Sequence, residues 1–592
     1  MNRWLAIRLV ALSLGAALVA AVSLVRIPDA LACGCFTPPD PSVPIVQAGE
    51  RIAFQIKNGR VTAHIQIQYS GPAEEFGWLL PLPSEPTLEV GTDELFQQLI
   101  QQTQPLYRLQ AEYRGNCPFD PSRQGPPGAS GGDASAGGDG AGEGDGGSPL
   151  VVRDTVGPYD YAVLRADSKD PMLEWLDENG FFVPAGTDEA VDPYIREGAF
   201  FLALKLRKGS DVGDIQPVVV DYASDLPMIP IVLTGVAADP NMPVMVWVLG
   251  KSRGIPRNYF HTLINDAEVD WLNAGANYID VINKAVDEAD EHHSFVTEYA
   301  GTSAIMQDIL DYPGRFGDLN ELRSIADAVN FVEYLNYSGY TANATVPGSF
   351  GPTFNGQVLA ILQSYLPVPA KLLQELTDQG QTAGAYYQSI RYYVEQDRLS
   401  RPDFYEDLDL EFDPAAMTDE LDERVVTPTL AAGQLFRDNP YMTRMFTTMS
   451  PDEMTRDPVF SFNADLPEVG NQHTGRLIYY CGRIPEDTQT TTPAKLITED
   501  GWVLNMPNGT GDNPWIGLPW PKSQFIQMVR EEGAAQSVVD NTEEIASFIE
   551  QRGLEIPGGH DNGCSVGGGS GAAGGLGLGG LLAFALVRRR RR

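Results

Sequence analysis

Polar and apolar residues alternate without a break from Val61 to Tyr69 (VTAHIQIQY), the period-two pattern of a half-covered β-strand. Residues 51–56 precede it as a pairing strand, and Asn58-Gly59 between them has the composition of a tight hairpin turn. The alternation puts His64 on the polar face, as a solvated strand histidine. The stretch 76–83 (FGWLLPLP) is apolar but carries two prolines, which confine it to an extended or edge strand. Thr92 or Asp93 then opens a helix that places Leu95, Phe96, Leu99 and Ile100 on one face. A second short helix spans 170–180 (DPMLEWLDENG), with Pro171 at its first position and Gly180 just past its end. Apolar runs at 199–206, 217–222, 229–234 and 244–249 follow at spacings too short for βαβ units. Beyond them the period becomes helical, at 278–291, 319–334, 358–365, 370–376 and 385–395.

These patterns predict an α+β protein. An antiparallel β-rich sheet or sandwich comes first, then a helical region, then an irregular mixed region. The expected divisions are residues 33–265, 266–400 and 401–557, flanked by a leader at 1–32 and a tail at 558–592. Residues 121–148 are almost entirely Gly, Ala, Ser, Asp and Pro; they cannot build a core and read as a flexible insert within the first division.

Both ends read as addresses. Arg3 and Arg8 flank the start of an apolar stretch, and Ala30-Leu31-Ala32 supplies an A-x-A cleavage site before Cys33, the pattern of a secretory signal peptide. The competing reading is a lipoprotein signal with Cys33 as its lipidated first residue. At the other end, residues 572–587 form a Gly-rich apolar run just under the usual length of a spanning helix, closed by Arg588 to Arg592. Those arginines would hold the tail on the cytoplasmic side. The whole chain carries a net charge of −38; without the eight arginines and one aspartate in residues 1–32 and 565–592 it is −45. A surface this acidic argues against nucleic acid and against anionic lipid head groups as main partners.

Candidate chemistry is sparse. Gly128-Ala-Ser130-Gly-Gly132 matches G-x-S-x-G but lacks the strand before and helix after that a nucleophile elbow needs. His292-His293 follow Asp287, Glu288, Asp290 and Glu291; on a continuous helix only Glu288 and His292 would share a face, a poor zinc set. Asp407-Leu-Asp409-Leu-Glu411 has Phe412 where a calcium loop needs glycine. Ser450, Pro451 and Glu453 form a capping box, which explains that motif without catalysis. No catalytic residue, no metal ligand and no cofactor is therefore expected. Exported cysteines favour disulfides. Cys33 and Cys35 are too close to join each other without strain, so they are expected to pair with Cys117 and Cys481.

Two resemblances add to this. Cys564 in GCSVGGG, the short apolar run and the arginine cluster are similar to the MYXO-CTERM sorting domain. That resemblance implies export machinery and a myxosortase-type membrane protease as maturation partners. It makes Cys564 the processing and lipid-attachment residue; the alternative is a plain membrane anchor that is never cut. The stretches ACGCF, FGWLLPLPSEP, GPYDYAVL, WLDENGFFVP, FVTEYAG and TRMFTTMSPDEMTRDPVF resemble the domain-of-unknown-function 2330 family, which implies an exported protein and no particular reaction. The function expected is an exported protein anchored to the outer membrane or cell surface, through its tail or a lipid, serving as a structural, adhesion or binding module. The alternative is a cell-envelope hydrolase using paired carboxylates.

Overall fold

The computed structural model describes residues 49–67, 77–115, 150–181, 186–207, 215–236, 238–342, 353–481, 492–511 and 513–556. Both chain ends, the Gly-rich insert, and Cys33, Cys35, Cys117, Ser130 and Cys564 lie outside them.

The first hairpin forms as the alternation predicts. Strands β1 (Glu50–Lys57) and β2 (Arg60–Ile67) pair antiparallel, and Asn58 and Gly59 both take the positive φ of a primed turn. They sit within a ten-stranded sheet with β4 (Thr87–Val90), β9 (Val218–Ala223), β10 (Met242–Gly250), β12 (Phe260–Ile264), β13 (Ser294–Thr302), β16 (Tyr441–Met449), β21 (Ser523–Met528) and β22 (Gln536–Asp540). The order across it is β22-β21-β12-β13-β16-β10-β1-β2-β9-β4. Most pairs are antiparallel, but β1 with β10 and β12 with β13 are parallel, so the sheet is mixed. It also draws its strands from most of the described chain. Neighbours β13 and β16 are separated in sequence by the helices, which pack around Phe331, Ile361, Leu372 and Met417 as a core of their own.

The two faces of the large sheet are covered differently. On one, Ile52, Phe54, Ala63, Ile65, Val220 and Val246 meet Leu80, Leu82, Leu202 and Leu204 of a four-stranded sheet. That sheet runs β3 (Gly77–Leu82), β8 (Phe200–Leu206), β7 (Tyr159–Arg165), β6 (Leu150–Val156). The proline-bearing β3 is its edge, as its sequence requires. On the other face, Ala53, Met245, Trp247, Leu249 and Phe446 meet the helices Asp93–Thr103, Tyr278–Val286 and Thr427–Asp438. They also meet a second four-stranded sheet of β5 (Leu106–Gly115), β18 (Gln472–Cys481), β19 (Ala494–Ile497) and β20 (Val503–Met506). Two short pairs complete the strands: β11 (Arg253–Pro256) with β17 (Phe460–Asn463), and β14 (Thr341–Ala342) with β15 (Thr353–Phe354).

Several local expectations change; the helix expected over 319–334, for one, breaks into Leu319–Arg323 and Ala328–Asn336. His64 is 4% exposed rather than solvated, because both faces of its sheet are covered; burial lowers its pKa to about 4. Residues 229–234 do not form a strand. After Pro230 the chain makes one helical turn, Ile231–Thr234, and drops Ile231 and Leu233 into the apolar interior. The helix expected over 278–291 stops at Val286. Among the described residues, no helix is long and apolar enough to cross a membrane.

Candidate functional site

Between β1, β2 and β9 of the large sheet and β3 of the smaller one lies a cavity of about 260 Å³. Its walls are Ile52, Phe54, Ala63, Ile65, Leu80 and Leu82, the inward-facing residues of those strands. Segments carrying Tyr194, Arg196, Ser224, Met228 and Pro230 close its other sides. Strand alternation builds this lining: residues two apart share a face, so Glu50, Ile52 and Phe54 project the same way. Their partners Ile67, Ile65 and Ala63 on β2, and Val244, Val246 and Val248 on β10, stand in the same rows.

Glu50 is the exception in this apolar row. It occupies an inward position at the start of β1, and its Oε2 is buried with no hydrogen-bond partner among the described residues. Burial pushes the carboxyl up to about 7. The second acid of the cavity, Asp457, is in a different state. Its Oδ1 accepts from the Tyr194 hydroxyl at 2.9 Å and from the Val232 N–H at 3.1 Å. Burial raises its pKa as well. Arg196 is exposed and reaches the cavity from the solvent side. The cavity thus offers an apolar body and one carboxylate oxygen with an unmet need for a donor.

The residues singled out by sequence distribute elsewhere. Glu288 and His292 do not share a face, since the helix has ended before them. Glu288 accepts instead from the Ser523 N–H at 2.9 Å and hydroxyl at 2.6 Å. His292 takes a left-handed backbone and turns its Nδ1 to within 3.0 Å of Glu453 Oε1 and 3.4 Å of Asp287 Oδ1. Asp287, His292 and Glu453 therefore form one group of potential metal donors within 4.8 Å of one another, a grouping the sequence did not suggest. Glu453 also accepts from the Ser450 N–H at 2.7 Å, the reciprocal bond of the capping box, although the segment makes only a turn. His293 is 1% exposed, with Nε2 against the Glu453 carbonyl and the Thr455 hydroxyl. Asp407 accepts from the Ala370 N–H and Asp409 from the Glu411 N–H, which accounts for that acidic run as local loop bonding. Cys481 ends β18, buried, opposite Gly115 of β5.

A further buried acid, Asp266, is pushed up to about 7 by burial and then by Asp500. Both its oxygens are committed, one to the Thr498 hydroxyl and the other to the Asp500 N–H. Glu50 carries no local signal of its burial. The alternation EXIXFXI at 50–56 puts it in the inward row, but nothing local reveals that a second sheet closes over that row.

Fold and site together define an α+β protein with a small, mostly apolar chamber between two sheets. The chain belongs to the domain-of-unknown-function 2330 family, uncharacterised proteins conserved in bacteria, whose match spans residues 27–351, more than half of its length. No curated protein and no solved structure matches it.

Proposed function

We propose that this chain is an exported binding module of the bacterial cell envelope, and that its ligand enters the chamber between the sheets. The observation that carries the binding role is the cavity itself: apolar walls, with an unpartnered Glu50 oxygen on the inside. Export rests on the A-x-A site before Cys33, and anchoring on Cys564 and the arginine-closed tail. The maturation partners are export machinery and a myxosortase-type protease.

The hydrolase reading draws on the two raised carboxylates, Glu50 and Asp457, that line one cavity. It is the weaker one. A paired-acid mechanism needs both carboxyl groups available, one to donate a proton and one to act as base or nucleophile, and Asp457 Oδ1 already holds two donors.

Saturable uptake of a small apolar probe such as hexanol by the full chain tests the binding role. Ala63→Phe, which puts a ring into the cavity, should abolish that uptake; unchanged binding by this variant would sink the proposal. Cell fractionation with mass spectrometry of the mature ends tests the address. Cys564→Ala should accumulate unprocessed in the inner membrane, and normal maturation of that variant would refute the role of Cys564.

A further inference from the structure

We propose that the inter-sheet cavity recognises a primary alkylammonium ligand, its alkyl chain lying between the sheets and its ammonium group on Glu50. This rests on the reading of the cavity as a ligand site and names the chemistry of the occupant.

Four observations lead there. Glu50 stands in register with Val244 on β10 and Ile67 on β2, so its neighbours across both strands are apolar. A carboxylate in such a row costs stability unless something donates to it, and Oε2 has no such donor among the described residues. The other acid of the cavity is already satisfied, by Tyr194 and Val232, which leaves Glu50 as the group with capacity to spare. Finally, most of the lining is hydrocarbon, with Ser224 and the exposed Arg196 among its polar members, and a volume of about 260 Å³ suits a short chain rather than a large ring system.

The complementary molecule therefore has a donor head and a slender apolar body. A cationic head is favoured over a neutral one, because it adds Coulombic attraction to the hydrogen bond that either head makes to a carboxylate. An ammonium suits a single oxygen better than a guanidinium does, since the planar fork is built for two parallel bonds. The charge of the chain works in the same direction. At −38 overall, its net charge draws cations toward the protein and repels carboxylates.

The test is calorimetric titration of the full chain at pH 8 with hexylammonium, hexanol and methylammonium. Hexylammonium should bind at least about tenfold tighter than hexanol. Methylammonium, which has the charge without the chain, should bind far more weakly than either if the walls contribute. Glu50→Gln should bring hexylammonium down to the level of hexanol while hexanol binding persists, which shows that the variant is folded. Equal affinities in the unaltered protein, or a preference for the ammonium that survives Glu50→Gln, would overturn the alkylammonium assignment and leave the cavity reading intact. No binding of hexanol or hexylammonium would remove both.

Discussion

Buried charge decides most of what single residues do in this molecule, and two cases make opposite demands. Glu50 is an acid whose pKa is raised to about 7 by burial. The folded state therefore holds a proton more tightly than the unfolded state between about pH 4.5 and 7. The stability associated with that proton is full below the unfolded value and is lost as pH rises through the folded one. Glu50→Gln should consequently be more stable than the unaltered protein above pH 7, by about 1–3 kcal/mol, and equally stable near pH 4. Urea unfolding at several pH values reads this directly; a constant difference across that range would show that Glu50 is not the titrating group. Arg444 and Glu298 are the second case. Both side chains are fully buried between β16 and β13, their closest atoms 2.5 Å apart, with the Arg444 guanidinium 5.6 Å from the centre of the Trp247 rings. Removing one partner strands the other away from water, with Thr103 and the Ile100 carbonyl beside Arg444 and Tyr278 beside Glu298. Glu298→Gln should cost about 3–5 kcal/mol, whereas the double change Glu298→Leu with Arg444→Met should recover most of it. A double variant no more stable than the single one would mean that the pair itself, rather than the orphaned charge, supplies the stability.

Elements with a strong local signal were legible in the sequence, and those fixed by distant packing were not. The hairpin at Asn58-Gly59 follows from a turn that only certain residues enter, and the edge position of β3 from prolines that cannot donate. The helix Asp93–Thr103 follows from its apolar face and from Thr92, whose hydroxyl accepts the Glu94 N–H. In contrast, residues 229–234 are β-branched enough to read as a strand, yet Pro230, which cannot donate to a ladder, leads into one buried helical turn. His64 shows the same limit: alternation separates two faces but cannot say that both are covered. The early end of helix Tyr278–Val286 had the largest consequence for chemistry. It frees His292 to swing toward Asp287 and Glu453. Both carboxylates approach the same Nδ1, so an ion would have to displace two contacts to gain three donors. Purified protein should hold no stoichiometric zinc after dialysis, as elemental analysis can check. One zinc per chain, lost in His292→Gln, would instead make this group a metal centre.

At the scale of the whole molecule, the sheets stitch together segments that are far apart in the chain. The longest such pairing is β5 with β18, a parallel ladder that runs in unbroken register from Leu106↔Gln472 to Gly115↔Cys481. Parallel strands of this kind need their register held by something other than a turn. Cys481 ends that ladder. It is 8% exposed and sits opposite Gly115, and Cys117 follows Gly115 by two residues in the sequence. Cys481 is disulfide-bonded, and its partner lies outside the described residues. Sequence spacing assigns Cys117 and Cys481 to Cys33 and Cys35. On that pairing the bridge at the end of β18 runs to the N-terminal segment. Such a bridge would close a loop of several hundred residues and, in the chain-entropy model, stabilise by about 6 kcal/mol. Peptide mapping without reduction should recover Cys481 linked to Cys33 or Cys35, and Cys481→Ser should lower the unfolding temperature by many degrees. Recovery of Cys481 joined to Cys117 would overturn this pairing and tie the two ends of the β5–β18 ladder to each other instead.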